Sequence, residues 1–123
     1  AQVAALRAEG RPIFVDFTAR WCVTCQVNER GALASSEVRE AFAAANVAFL
    51  VADWTNRDSV IAEELARHGR AGVPLYLMYP AGGGEPEVLP QLLTPGGVVE
   101  AVRRASPPSG PQARGQANNG ETL

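Results

Sequence analysis

Lysine does not occur in this chain of 123 residues; its eleven basic side chains are all arginine. No lysine nucleophile or Schiff base is therefore available. Thirteen acidic residues outweigh the arginines and leave a net charge of −2. That excludes a strongly basic nucleic-acid binder, because no net positive field exists to neutralise phosphates. Cysteine is scarce too, with two residues. Two are too few for a disulfide-stapled scaffold, so their spacing matters more than their number. No apolar run approaches the ~18–20 residues of a membrane span, and no stretch has the pattern of a signal peptide. The length excludes a large multi-domain enzyme and suits one compact domain of the usual ~100–150 residues. The first residue, Ala1, is not Met, which fits a processed protein or a domain of something longer.

What is present divides in two. Residues 106–123, SPPSGPQARGQANNGETL, are rich in Pro, Gly, Asn and Gln, with Leu123 the one sizeable apolar side chain. Such a composition cannot offset ordering entropy and predicts a disordered tail or linker. The domain is then 1–105. Its periodicity predicts a short helix over Gln2–Glu9 closed by Gly10, and a strand over Pro12–Thr18. A helix follows from Cys22 to about Arg30, and another from a capping Ser36 to about Ala45. Val47–Asp53 is a continuous apolar run, expected to be a strand covered on both faces. Thr55-Asn56-Arg57-Asp58 fits a capping box opening a helix to His68. Leu75–Tyr79 reads as a strand with Glu87–Gln91 as its antiparallel partner, and Thr94-Pro95 opens a last helix to about Ala105. Strands alternating with helices predict an α/β fold with an antiparallel edge.

The chemistry concentrates in Trp21-Cys22-Val23-Thr24-Cys25. A C-x-x-C that follows a strand and opens a helix reads as redox-active. Cys22 falls at the helix N-terminus, where unpaired N–H groups and the macrodipole stabilise a thiolate. Cys25 lies about one turn on and is placed to resolve a mixed disulfide. A structural disulfide closing so short a loop removes little chain entropy. A zinc site wants four ligands, and His68 is the one other soft partner. Two inert buried thiols remain a third alternative.

Asp16 sits in the apolar strand, pointing opposite to Val15 and Phe17. It is either a polar edge position or a carboxylate that moves the proton when Cys25 attacks. Glu29, four residues after Cys25, is on its own a solvated helix position; near Cys22 its charge would raise the thiol pKa. Gly72-Val73-Pro74-Leu75 places a proline at the start of a strand, which is ordinary, or a cis bond at Val73–Pro74 beside the cysteines. Trp21 either packs in the core or shapes a partner-facing surface. Trp54 reads equally as core or site rim. His68 reads as a surface residue and Gly82-Gly83-Gly84 as a hairpin turn.

Together, Val15-Asp16-Phe17, Trp21-Cys22-x-x-Cys25 and Gly72-Val73-Pro74 resemble the thioredoxin superfamily over nearly all of 1–105. The stretch Asp16–Cys25 is similar to the active site of the C-terminal periplasmic thioredoxin-like domains of DsbD-type membrane disulfide reductases. The segment Ala52–Asp58 is similar to one in longer bacterial relatives. The resemblance implies a thioredoxin fold, a central mixed sheet with helices on both faces. It implies a protein-disulfide reductase in which Cys22 is the nucleophile, Cys25 the resolving thiol and Pro74 the cis-proline. Asp16 and Glu29 would then set pKa values, with Trp21, Val73 and Pro74 facing the partner. Electrons would pass from a transmembrane segment to periplasmic thiol partners, at the periplasmic face of the bacterial inner membrane. The isolated domain would be a monomer, with no cofactor beyond the Cys22–Cys25 disulfide.

The Val-Thr dipeptide between the cysteines, where ordinary thioredoxins carry Gly-Pro, argues against a cytoplasmic thioredoxin. It supplies no charge to stabilise a thiolate, and Asp16 and Glu29 disfavour the anion, so a reductant is expected. Two other classes stay open: a module holding a soft ion such as Cu(I) between the cysteines, and a redox-silent binding domain. The final substrate, whether a protein disulfide, a cytochrome-maturation thiol or a sulfenic acid, is not encoded legibly.

Overall fold

A computed structural model describes residues 2–106. The tail expected at 106–123 lies, apart from Ser106, outside the described residues. The elements are α1 (Gln2–Ala8), β1 (Ile13–Thr18), α2 (Val23–Arg30), a 3-10 turn (Ala32–Ala34), α3 (Ser36–Ala45), β2 (Ala48–Asp53), α4 (Ser59–Arg67), β3 (Leu75–Tyr79), β4 (Glu87–Val88) and α5 (Pro95–Ala105). The four strands form one mixed sheet in the order β2-β1-β3-β4. β1 runs parallel to β2 and antiparallel to β3, and β3 is antiparallel to β4. No helix among the described residues is long and apolar enough to cross a membrane.

Strand alternation sorts the core into two layers. Phe14, Tyr76 and Met78 point to one face, where α3, α5 and the 3-10 turn supply Val38, Val98, Val102 and Ala32. Ile13, Val15, Phe17, Leu75 and Leu77 point to the other, covered by Val3 and Leu6 of α1 and by Ile61 and Leu65 of α4. Helices thus cover both faces of a mixed sheet, the α/β thioredoxin architecture expected.

Four local expectations are corrected. The N-cap of α3 is Ser35, whose hydroxyl accepts the Val38 N–H at 3.2 Å, and Ser36 is the first helical residue. The capping box at Thr55 does not open α4; Asp58 does, accepting the Ile61 N–H at 3.2 Å. Thr55 is turned towards Asp53 instead, giving it both its N–H and its hydroxyl. β2 is not covered on both faces. It is an edge strand, with Phe49 45% and Val51 56% exposed. An apolar run does not tell a central strand from an edge one; β1 and β3 have partners on both sides, and every residue of β1 is buried. β4 is also shorter than expected, because pairing reaches only Glu87 and Val88 before the chain turns to α5. Thr94 caps α5 through the Gly97 N–H at 3.0 Å, with Pro95 in the first turn. Gly10 closes α1 at φ +77°, a conformation that favours glycine.

Candidate active site

β1 ends at Thr18, and the next four residues turn the chain into α2. Cys22 is the N-cap of that helix, in extended conformation, and its Sγ accepts the Cys25 N–H at 3.2 Å. The sulfur therefore takes a backbone donor at the positive end of the helix, the setting that favours a thiolate. Cys22 and Cys25 are joined in a disulfide, their Cα atoms 5.3 Å apart. Cys25 is fully buried whereas Cys22 keeps 7% exposure, so Cys22 is the more accessible of the two. Val73 packs on the two cysteines and Ala19, and the Val73–Pro74 peptide bond is cis. The Arg70 guanidinium donates to the Pro74 carbonyl at 3.1 Å and holds that turn against the end of α4.

Asp16 lies in the central strand, so the edge-position alternative is excluded. Its register partners are Val51 on β2 and Tyr76 on β3. By alternation it shares a face with Phe14 and Thr18, and α2 meets that face where Thr18 donates its hydroxyl to Glu29 at 2.8 Å. Asp16 is 2% exposed, and its Oδ1 has no hydrogen-bond partner among the described residues. Burial, with the Glu29 carboxylate as a second cause, raises its pKa from 3.8 to about 7. A carboxyl of that pKa exchanges protons at neutral pH. Tyr76, on the same face, is pushed up to about 12, first by burial and further by Asp16 and Glu29, against the Asn28 hydrogen bond.

Sequence reasoning missed several groups. Asn28 is buried in α2 and makes three bonds: its Nδ2 donates to the Tyr76 hydroxyl and to the Gln91 carbonyl, each at 2.8 Å, and its Oδ1 accepts the Leu93 N–H at 3.0 Å. Its one signal was an asparagine inside a helix, where its propensity is poor. Thr18 pairs with Glu29 eleven positions on, and Arg57 reaches Trp21 from another segment; Arg70 reaches the nearby Pro74 carbonyl, but an arginine in a loop signals no such bond. Trp21 is half exposed; its indole N–H donates to the Thr55 carbonyl at 3.0 Å. Trp54 combines the two roles weighed for it: it is buried, yet it faces the Trp21 ring at 5.9 Å and lies beside Gly72 of the cis-proline turn. His68 closes α4 and is partly buried rather than on the surface, its Nε2 3.6 Å from Glu64. Among the described residues, no cluster of three His, Cys, Asp or Glu side chains could hold a metal ion.

Three comparisons with known proteins agree. The model of a family described as thioredoxin-like matches residues 1–81. A thiol:disulfide interchange protein DsbD from Ralstonia nicotianae is 36% identical over 86 residues, 70% of this chain and 14% of that protein. DsbD 1 of Pseudomonas aeruginosa is 31% identical over 108 residues, 86% of this chain and 18% of its own length. The chain thus spans less than a fifth of these relatives. The reduced C-terminal domain of Neisseria meningitidis DsbD superposes with a TM-score of 0.64 at 23% identity, covering 84% of this chain and 96% of that one. A thioredoxin from Thermus thermophilus gives 0.65 at 20% identity, over 83% of this chain and 78% of its own. At those identities the superpositions show the fold.

Proposed function

The chain belongs to the thioredoxin-like family, and from that premise we propose that it is a thiol–disulfide oxidoreductase working as a reducing relay. The observation that carries the reading is the Cys22–Cys25 disulfide at the start of α2, with Cys22 the more accessible of the two and an N–H donated to its sulfur. Similarity to proteins named thiol:disulfide interchange protein DsbD supports the same chemistry. In this reading the domain is part of a longer membrane reductase at the periplasmic face of the inner membrane. It takes electrons from a transmembrane segment and gives them to periplasmic thiol partners.

The reaction balances without an organic cofactor. In the dithiol state the Cys22 thiolate attacks one sulfur of a partner disulfide; a new S–S bond forms and the partner's own breaks, releasing its other sulfur as a thiolate. Cys25 then gives up its proton and attacks Cys22 Sγ. That forms the Cys22–Cys25 disulfide and releases the partner's second thiolate, so two electrons pass to the partner. Asp16 is the proton acceptor for Cys25, directly or through water, its pKa of about 7 placing it midway between holding and losing a proton at neutral pH. Burial first, and Glu29 second, keep that pKa high. Trp21 and Val73 form the surface against which the partner lies, the buried Pro74 sets the turn that presents Val73, and Arg70 fixes that turn.

The direction of flow follows from the thiolate. Val23 and Thr24 bring no charge to it, while Asp16 and Glu29 lie on the side of the sheet that α2 covers. A thiolate stabilised by little more than the helix end makes the dithiol a good reductant. Equilibrating the Cys22–Cys25 pair against dithiothreitol and glutathione tests this. A potential between about −270 and −180 mV, or lower, is expected; one near about −120 mV would reverse the direction. The absence of any reversible two-electron couple would overturn the whole reading in favour of soft-metal handling.

A further inference from the structure

The Arg57 guanidinium lies in the angle between the two tryptophans of the chain, 4.4 Å from the Trp21 ring and 5.4 Å from the Trp54 ring. Its backbone is left-handed, at φ +55°. A non-glycine residue keeps that conformation where its surroundings hold it. They do so here: the Arg57 N–H donates to the Trp54 carbonyl at 2.9 Å, and the side chain rests on both indoles. The same loop clamps the approach to the nucleophile. The Trp21 indole donates to the Thr55 carbonyl, and the Arg20 N–H donates to the Thr55 hydroxyl at 2.9 Å.

The guanidinium itself has no acceptor among the described residues. Both acids of its loop are engaged elsewhere, Asp53 with Thr55 and Asp58 with the Ile61 N–H. Arg7, Arg11, Arg67, Arg70, Arg103 and Arg104 each donate to a carboxylate or a carbonyl, whereas Arg20, Arg30 and Arg39 share the lack of an acceptor among the described residues but rest on no aromatic ring there. A guanidinium stacked on aromatic faces keeps its in-plane N–H fork available and ordered, so it loses little freedom when an acceptor arrives. Resting on Trp21, the residue that leads into Cys22, it is an immobilised cation in a chain of net negative charge.

We infer that Arg57 is a specificity-determining residue, which takes a carboxylate flanking the reactive cysteine of the partner and so selects partners with an acidic residue beside their disulfide. The inference rests on the thiol–disulfide reading of the site. Two short synthetic peptides with an internal disulfide, differing only in Glu or Gln beside one cysteine, test it with dithiothreitol as electron donor.

With the wild-type chain the Glu peptide has a KM roughly fivefold lower at equal kcat, a preference that fades at high salt. In Arg57→Ala the two KM values become equal while the Cys22–Cys25 potential is unchanged. Arg57→Lys, which keeps the charge without the planar fork, retains a smaller preference. Arg57→Gly, which also relieves the positive φ, matches Arg57→Ala and so separates the side chain from the backbone. Far-UV circular dichroism and urea unfolding confirm that each variant has folded, because loss of a guanidinium resting on both indoles alters their fluorescence by itself. Equal KM values in the wild type, or a preference that survives Arg57→Ala, overturn the inference while leaving the redox reading intact. A pair that never equilibrates with dithiothreitol removes both.

Discussion

The Thr18 hydroxyl donates to the Glu29 carboxylate at 2.8 Å, tying the end of β1 to α2 across eleven positions of sequence. The bond fixes a negative charge over the face of the sheet on which Asp16 lies buried. Glu29 is the second cause of the raised Asp16 pKa, burial being the first. Replacing Glu29 by Gln should therefore bring the Asp16 titration down from about 7, yet leave it well above 3.8, because the burial remains. Carbon-detected NMR titration of the Asp16 carboxyl reads this directly. A midpoint that does not move would remove Glu29 from the site's electrostatics.

Asp16 also makes stability depend on pH. Its folded pKa of about 7 lies above the ordinary 3.8, so between those values the folded chain holds a proton that the unfolded chain has lost. Stability contributed by the protonated carboxyl is complete below about pH 4 and declines as pH rises through about 7. The full shift corresponds to about 4 kcal/mol, an upper bound because water and relaxation ease the buried charge. Asp16→Asn should then stabilise the oxidised domain at pH 8 by about 2 kcal/mol and bring no comparable gain at pH 4. Urea unfolding at the two pH values measures the difference. Equal effects at both would mean that Asp16 is not the group responsible. The same variant should slow the resolving attack by Cys25 at neutral pH.

The contrast between the parts read from sequence and the parts missed is physical. The cysteines, Asp16 and the Val73-Pro74 turn announce themselves because each is a residue type with a cost or constraint of its own: a carboxylate in an apolar strand, a proline opening one, two thiols a helical turn apart. Capping was legible in kind and displaced in place. Ser35 and Ser36 both offer a hydroxyl, and only the backbone conformation decides that Ser35 is the cap. At Thr55 a capping box was written in the sequence, but Asp53 competes for the Thr55 groups and Asp58 takes the cap. The covering of β2 could not be read, since apolar runs of equal strength serve β1 at the centre and β2 at the edge. Asn28 joins residues 48 to 65 positions distant, a relation that no local pattern contains.

Asn28 is where stability is most exposed to a single change. Its side chain satisfies the buried Leu93 N–H and Tyr76 hydroxyl and also reaches the partly exposed Gln91 carbonyl, joining α2 to the segment leading to α5. Alanine there strands the Leu93 and Tyr76 groups without solvent, and each unsatisfied buried group costs about 1–3 kcal/mol. Asn28→Ala should destabilise the domain by about 3 kcal/mol in urea unfolding. Asn28→Asp should be no better, because a carboxylate keeps the bond to Leu93 but offers no donor to Gln91 or Tyr76. A loss under about 1 kcal/mol would show that water replaces the amide.

The assignment of roles to the two cysteines predicts an asymmetry. Cys25 is fully buried and Cys22, at the helix end, is the more accessible of the two. A partner sulfur can therefore reach Cys22 alone, and the bond it forms is normally broken by Cys25 from within. Cys25→Ser removes the resolving thiol and leaves the attacking one, so the Cys22 mixed disulfide with a thiol-bearing peptide should accumulate. Cys22→Ser leaves a thiol enclosed by Ala19 and Val73, and it should form little or no adduct under the same conditions. Intact-mass spectrometry of both variants, after exposure to an activated peptide disulfide, gives the comparison. Equal trapping by the two would mean that the helix opens enough to expose Cys25, and the division into attacking and resolving thiols would have to be abandoned.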